Sequence, residues 1–164
     1  MRINVVYASR EPNRAAVILE AMAAHGMSVT VAQKSKELMG LLSNRSCELL
    51  LIAQRLADED GVAMVKSLRS RGPSRQLPIV ALVEHAELPA APVGNLRPAY
   101  AGYFLKPAPS PAASAAGARD RVSLRLEFFQ AGADECLSLN WDAAECVARI
   151  KAVLRRTQVN ASEE

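Results

Sequence analysis

Short, nearly apolar runs alternate along this chain with longer segments in which apolar residues recur every three or four positions. A run that is apolar at almost every position is typical of a strand buried on both faces of a parallel sheet. The first four predicted strands cover residues 3–8, 28–32, 49–52 and 78–83. Strict alternation of strands with helices predicts right-handed crossovers and helices on both faces of the sheet.

Helix boundaries follow from the residues that flank the periodic segments. Pro12 suits the first turn of the first helix, and Gly26 is expected to end it. Ser35 is a candidate N-cap for the second helix, because its hydroxyl could accept a hydrogen bond from a free backbone N–H. The third helix is predicted over residues 61–71.

The alternation stops between about residues 85 and 123. This segment holds six of the nine prolines, many alanines and no sustained period, so we interpret it as an insertion. Beyond it we predict a helix at 124–131, a strand at 135–139 and a last helix at 142–156, capped by Asp142. Without the insertion, five strands and five helices remain. They predict an α/β, flavodoxin-like, doubly wound parallel sheet of order 2-1-3-4-5, with the insertion between strand four and helix four.

Length and composition limit the possible classes of protein. A chain of 164 residues, half of them hydrophobic, suits one domain, which we place at 1–157 with a tail or linker at 158–164. No apolar run is long enough to span a membrane, so we expect a cytoplasmic protein without membrane contact. A net charge of +3 without a basic block predicts no DNA contact by this chain itself. Phosphate-binding glycine loops are absent, and we expect no cofactor.

Three motifs, in order and at matching spacing, resemble the receiver domain of bacterial two-component response regulators. Residues 47–61 fit the phosphoacceptor strand and its loop ending in Asp-Gly, residues 131–135 (AGADE) fit the step into strand five, and residues 148–156 resemble the end of receivers in the winged-helix, OmpR-like regulators. The resemblance covers roughly residues 1–84 and 124–157.

The resemblance implies a phosphorylation site made of an aspartate, two acids, a hydroxyl and a lysine. In this sequence the aspartate position holds Ala53, the acid pair Ser9 and Arg10, the hydroxyl Val83 and the lysine Leu139. A methyl group cannot form an acyl phosphate, and an arginine is unsuited to hold Mg²⁺. We therefore expect a degenerate pseudo-receiver with no catalytic residues, no metal and no enzymatic activity.

Two features near this site leave alternatives open. Lys106, in the sequence YFLKP, resembles the lysine that ends strand five, and could return a lysine to the site or belong to a proline-rich loop. Gln54 and Arg55 follow Ala53 and could bind a small anion.

The expected function is a phosphorylation-independent regulatory domain of a transcription regulator, which homodimerises through helix four, strand five and helix five. DNA contact would then need a C-terminal output domain outside this chain. The alternatives are a stand-alone adaptor that binds another protein, and a redox- or ligand-sensing domain. The candidate dimer face, taken from the resemblance, consists of Phe128, Cys136, Trp141, Cys146 and Arg149.

Overall fold

The computed structural model describes residues 2–44, 47–71, 76–84 and 124–161, and its centre is a parallel sheet of five strands. The strand order β2-β1-β3-β4-β5 and the parallel pairing of every neighbouring pair confirm the predicted flavodoxin-like plan. The strands are β1 (Ile3–Ala8), β2 (Met27–Ala32), β3 (Leu49–Ala53), β4 (Ile79–Val83) and β5 (Glu135–Ser138). The predicted insertion at 85–123, including Lys106, lies outside the described residues.

Helices cover both faces of this sheet. A short 3-10 turn (Pro12–Ala15) leads into the first helix, and the last helix runs on past the predicted end at 156. The helices are α1 (Ala16–Ala24), α2 (Ser35–Ser43), α3 (Gly61–Ser70), α4 (124–131) and α5 (Ala143–Ala161).

Alternate residues of each strand point into two separate hydrophobic cores. On β1, Val6 belongs to the core under α2, α3 and α4, whereas Tyr7 belongs to the core under α1 and α5. This alternation follows from the two-residue period of a strand. It explains why β1, β3 and β4 are mainly apolar, because both of their faces are covered, whereas the edge strand β2 is partly exposed.

Helix capping agrees with the sequence prediction at one site and differs at another. Asp142 accepts a hydrogen bond from the backbone nitrogen of Ala144 at 2.8 Å, as predicted for the start of α5. Ser35 does not cap α2, because it is already the first helical residue and Lys34 has the extended conformation of an N-cap. The Ser35 hydroxyl donates instead to Asp58, at 2.7 Å.

Arg69 at the end of α3 links the beginnings of β4 and β5. Its guanidinium donates to the carbonyl of Gly132 and to that of Leu77, both at 2.8 Å, and to Asp134 at 2.9 Å. Asp134 also accepts from the backbone nitrogen of Ile79 at 2.8 Å. These bonds fix the edge of the sheet opposite to the carboxyl ends of the strands.

Among the described residues, no helix combines the length and the apolar character that a membrane crossing needs.

Candidate functional site

A cavity of about 210 Å³ opens at the carboxyl edge of the sheet. In a doubly wound sheet this edge is where ligands generally bind, because loops from neighbouring strands converge there. The lining residues come from the ends of β1, β3 and β4, from the segments that follow β1 and β3, and from the residues that follow β4 and β5. They are Tyr7, Ser9, Arg10, Glu11, Arg14, Ala53, Gln54, Arg55, Leu82, Glu84 and Leu139.

Four of the five positions predicted from the family resemblance meet in this cavity. Ser9, Arg10, Ala53 and Leu139 all line it. Val83 does not: it is 1% exposed and belongs to the core under α2, α3 and α4. Its predecessor on the strand, Leu82, contributes to the cavity wall instead, because adjacent strand residues point to opposite faces.

The loop after β3 holds Ala53 against the start of α3. The backbone nitrogen of Gly61 donates to the carbonyl of Gln54 at 2.9 Å, and Arg55 pairs with Asp60 in an antiparallel bridge. Asp60 also caps α3, accepting from the nitrogen of Ala63 at 3.3 Å. This tight loop puts a methyl group at the end of β3, where the resemblance calls for a carboxylate.

Charged groups around the cavity are unevenly paired. Arg14 forms ion pairs with Glu11, at 2.5 Å, and with Glu84. Both glutamates of the lining therefore share one arginine, and these three side chains carry a net charge of −1. The guanidinium groups of Arg10 and Arg55 form no ion pair within the described part of the chain, so the cavity mouth carries an excess of positive charge.

Tyr7 brings a polar atom to the buried side of the cavity. Its side chain is completely buried, and its hydroxyl has no hydrogen-bond partner of normal geometry among the described residues. Burial raises the pKa of Tyr7, and the nearby Ser9 hydroxyl offsets part of that rise. The oxygen of Ser9 accepts a hydrogen bond from the backbone nitrogen of Glu11 at 3.1 Å, which leaves the Ser9 O–H free to donate.

Divalent cations do not fit this arrangement. Mg²⁺ prefers carboxylate and other oxygen ligands, whereas the two positions after β1 hold a serine and an arginine. The acids of the loop after β3 are engaged elsewhere: Asp58 binds Ser35, and Asp60 caps α3. No group of three metal-ligating side chains occurs in residues 2–44, 47–71, 76–84 and 124–161.

Three of the five residues of the candidate dimer face are buried in the interior. Phe128 on α4, Cys136 on β5 and Cys146 on α5 are each 0% exposed, because these elements turn the three side chains into the cores on either side of the sheet. Burial raises the pKa of Cys136 to about 11 and also raises that of Cys146. Both thiols are therefore protonated and shielded at neutral pH, which makes them poor sites of oxidation.

Trp141 is half-buried against the core under α1 and α5, and Arg149 is exposed. The guanidinium carbon of Arg149 is 4.8 Å from the centre of the Trp141 ring, and that of Arg125 approaches the same ring at 5.9 Å. Leu126 and Phe129 on α4, which the sequence analysis did not single out, are 54% and 42% exposed. Their position three residues apart on one helix could have indicated a shared apolar face.

Comparison with known proteins agrees with this architecture. A family model for the response regulator receiver domain matches residues 10–117, more than half of the chain. Response regulator MprA of Mycobacterium sp. (strain KMS) is 28% identical over 133 residues, which are 81% of this chain and 42% of MprA. The DNA-binding transcriptional regulator NtrC of Salmonella typhimurium is 29% identical over 75 residues, 46% of this chain and 16% of NtrC.

The chain therefore spans less than half the length of these curated relatives. Among solved structures, a response regulator from Chloroflexus aurantiacus superimposes with a TM-score of 0.69 at 17% identity, covering 94% of this chain and 99% of that one. An identity this low shows only that the two proteins share a fold. The match to the family model shows that the chain is a member of the family. The chain belongs to the response regulator receiver domain family of two-component signalling.

Proposed function

We propose that this receiver domain regulates its output without being phosphorylated. The observation that carries the proposal is Ala53, whose methyl group ends β3 at the edge of the cavity. A receiver accepts a phosphoryl group on a carboxylate at this position, and a methyl group has no electron pair with which to attack phosphorus.

The surroundings of Ala53 strengthen the proposal. Phosphoryl transfer depends on cations that neutralise the developing charge, and a bound Mg²⁺ needs acids beside the nucleophile. Ser9 and Arg10 stand at those positions, and Glu11 and Glu84 are already paired with Arg14. A single substitution at Ala53 would thus not rebuild the site.

Relatives of the chain suggest where the output lies. NtrC is a DNA-binding transcriptional regulator and MprA a response regulator, and this chain matches only part of each. We therefore assign the domain to a transcription regulator, with any DNA contact made by a separate output domain.

The surface formed by α4, β5 and α5 is our candidate for homodimerisation. It presents the apolar side chains of Leu126 and Phe129 and the stacked pair of Trp141 and Arg149. Aromatic and arginine side chains are enriched at protein–protein interfaces and among the residues that dominate binding energy. A redox function for this region is not proposed, because the two neighbouring thiols are buried.

Sedimentation equilibrium, with and without acetyl phosphate and Mg²⁺, tests both parts of the proposal. We expect a concentration-dependent dimer whose dissociation constant does not change with either reagent. Intact mass spectrometry should find no phosphoryl adduct on the wild type, nor on Ala53→Asp, since that variant still lacks the acid pair. A conventional receiver domain treated in parallel is the positive control.

Each alternative outcome has a definite meaning. A phosphoryl adduct on the wild-type chain would refute phosphorylation independence. A protein that stays monomeric at every concentration would refute homodimerisation, and the same surface would then favour the adaptor function with a different protein partner.

A further inference from the structure

The buried hydroxyl of Tyr7 is incompletely hydrogen-bonded by the described part of the chain. Tyr7 is fully buried on β1 and lines the cavity, and its hydroxyl has no partner of normal geometry among the described residues, although the Ser9 hydroxyl lies near enough to lower its pKa. Leaving a buried polar group unpaired is unfavourable, and nearly all such groups in folded proteins have a partner. A phenylalanine would fill the same space without this penalty, so the hydroxyl points to a partner that arrives from outside.

Two arginines approach the cavity from neighbouring loops. The backbone nitrogen of Arg10, after β1, donates to the carbonyl of Arg55, after β3, at 2.9 Å. This bond holds the two loops together, and both side chains line the cavity. Arg14 pairs with both Glu11 and Glu84, whereas Arg10 and Arg55 form no ion pair among the described residues. The three arginines and two glutamates of the lining sum to a charge of +1, which favours an anion.

We propose that this cavity binds, without a metal ion, the oxyanion group of a small molecule, either a carboxylate or a phosphate. The proposal rests on the proposed function, because such a ligand would replace phosphorylation as the input to the domain. It differs from the chemistry of phosphorylated receivers in needing neither a nucleophile nor a cation, since the positive charge is built into the chain.

Each wall of the cavity has a role in this site. The arginines offer planar forks of N–H donors that match the geometry of carboxylates and phosphates. On the buried side the O–H of Ser9 can donate to the same oxygens, with the hydroxyl of Tyr7 close behind it. Leu82 and Leu139 are apolar and would contact the carbon skeleton of an organic anion. A volume of about 210 Å³ is smaller than a typical site for a drug-sized ligand, so the ligand should be small.

Isothermal titration calorimetry at constant ionic strength tests the site with three probes: inorganic phosphate, acetate and benzoate. Sodium chloride is the control for general screening. We expect saturable binding of at least one probe. Phosphate binding alone would identify a phosphate site, whereas preference for benzoate over acetate would identify an organic carboxylate held partly by the apolar wall.

Four variants separate specific binding from charge effects. Arg10→Gln and Arg55→Gln should each lower the affinity for the tightest-binding probe about tenfold, which is equivalent to about 1.4 kcal/mol of binding free energy. Arg2→Gln removes the same charge from the exposed amino end of β1 and should leave the affinity unchanged. Tyr7→Phe should raise the melting temperature of the free protein and lower the affinity at least about threefold, a combination that a purely structural tyrosine would not give.

Three results would overturn the site. The first is a dissociation constant above about 20 mM for every probe. The second is an affinity that Arg10→Gln and Arg55→Gln leave unchanged. The third is a loss of affinity in Arg2→Gln as large as the loss in Arg10→Gln and Arg55→Gln. None of these would affect the proposed function, which fails on a phosphoryl adduct, on a dimer that responds to acetyl phosphate only when Mg²⁺ is present, or on a protein that stays monomeric at every concentration. The two proposals can therefore fail separately.

Discussion

Gly61, the first residue of α3, offers a direct test of how tightly the loop beneath the cavity is built. A Cβ atom added to Gly61 would lie well inside 3.0 Å of the carbonyl oxygen of Ala53. It would also lie 3.1 Å from the carbonyl oxygen of Gln54 and 3.2 Å from the ring of Phe128. Two of these three neighbours are backbone atoms, which cannot rotate away as a flexible side chain would.

The expected cost of Gly61→Ala follows from these contacts. Either β3 or the start of α3 must shift, and the hydrogen bond from the nitrogen of Gly61 to the carbonyl of Gln54 is strained or lost. Overpacking of this kind destabilises by about 1–3 kcal/mol, and a strained backbone hydrogen bond adds about 1 kcal/mol. We therefore expect the free energy of unfolding to fall by about 3 kcal/mol.

Gly40 is a matched control, because it is also helical but exposed. A Cβ atom at Gly40 would meet nothing within 4 Å. Gly40→Ala in the middle of α2 should stabilise the protein by about 0.5–1 kcal/mol through helix propensity alone. The two substitutions are chemically identical and should change stability in opposite directions.

Urea unfolding followed by circular dichroism measures both effects. If Gly61→Ala alone is too unstable to purify, the double variant with Gly40→Ala gives its cost by difference, since the two added methyl groups share no neighbour within 4 Å. A Gly61→Ala protein whose stability lies within about 0.5 kcal/mol of the wild type would refute the steric reasoning.

Two further predictions concern the interior. Arg69→Met should lower the free energy of unfolding by about 2–4 kcal/mol, because two backbone carbonyls and Asp134 lose their hydrogen-bond donor. As a control, Arg71→Met at an exposed position should lower the free energy of unfolding by less than about 0.5 kcal/mol in the same urea titration. Burial raises the pKa of Cys136 from 9.0 to about 11, so the folded state keeps the thiol proton that the unfolded state releases above pH 9. The stability that this difference gives is complete below pH 9 and is lost as the pH rises towards 11. Stability should therefore fall by about 2–3 kcal/mol more in the wild type than in Cys136→Ala over that interval, and equal slopes against pH would contradict this.

The fold was predictable from the sequence because the strands are unusually apolar. Each of β3 and β4 is buried at every position, and such runs identify a two-sided parallel sheet without further information. Boundaries were less certain: β3 continues to Ala53, and α5 continues to Ala161, beyond the expected end of the domain at 157. Helix ends depend on capping contacts with distant residues, as Ser35 and its bond to Asp58 illustrate.

The surface and the site were harder to predict. A strand at the edge of a sheet can still have both faces covered, and this is why Cys136 proved to be interior rather than part of a dimer face. The positions in the cavity could be assigned from motif spacing. The balance of charge in the cavity could not be predicted from the sequence, because it depends on the pairing of Arg14 with Glu84, which is 70 positions away.

The position of the proposed anion site suggests how a ligand could act on the rest of the domain. Arg10 and Arg55 lie on loops that a backbone bond joins, and the loop of Arg55 ends at Gly61, where α3 begins. A ligand that binds one arrangement of these loops and not another shifts their ratio by a free energy of RT ln(1 + [L]/Kd). At ten times the dissociation constant this is about 1.4 kcal/mol, or roughly a tenfold change in the ratio. Even a weak oxyanion could then serve as a signal, provided that the two arrangements are similarly populated without it.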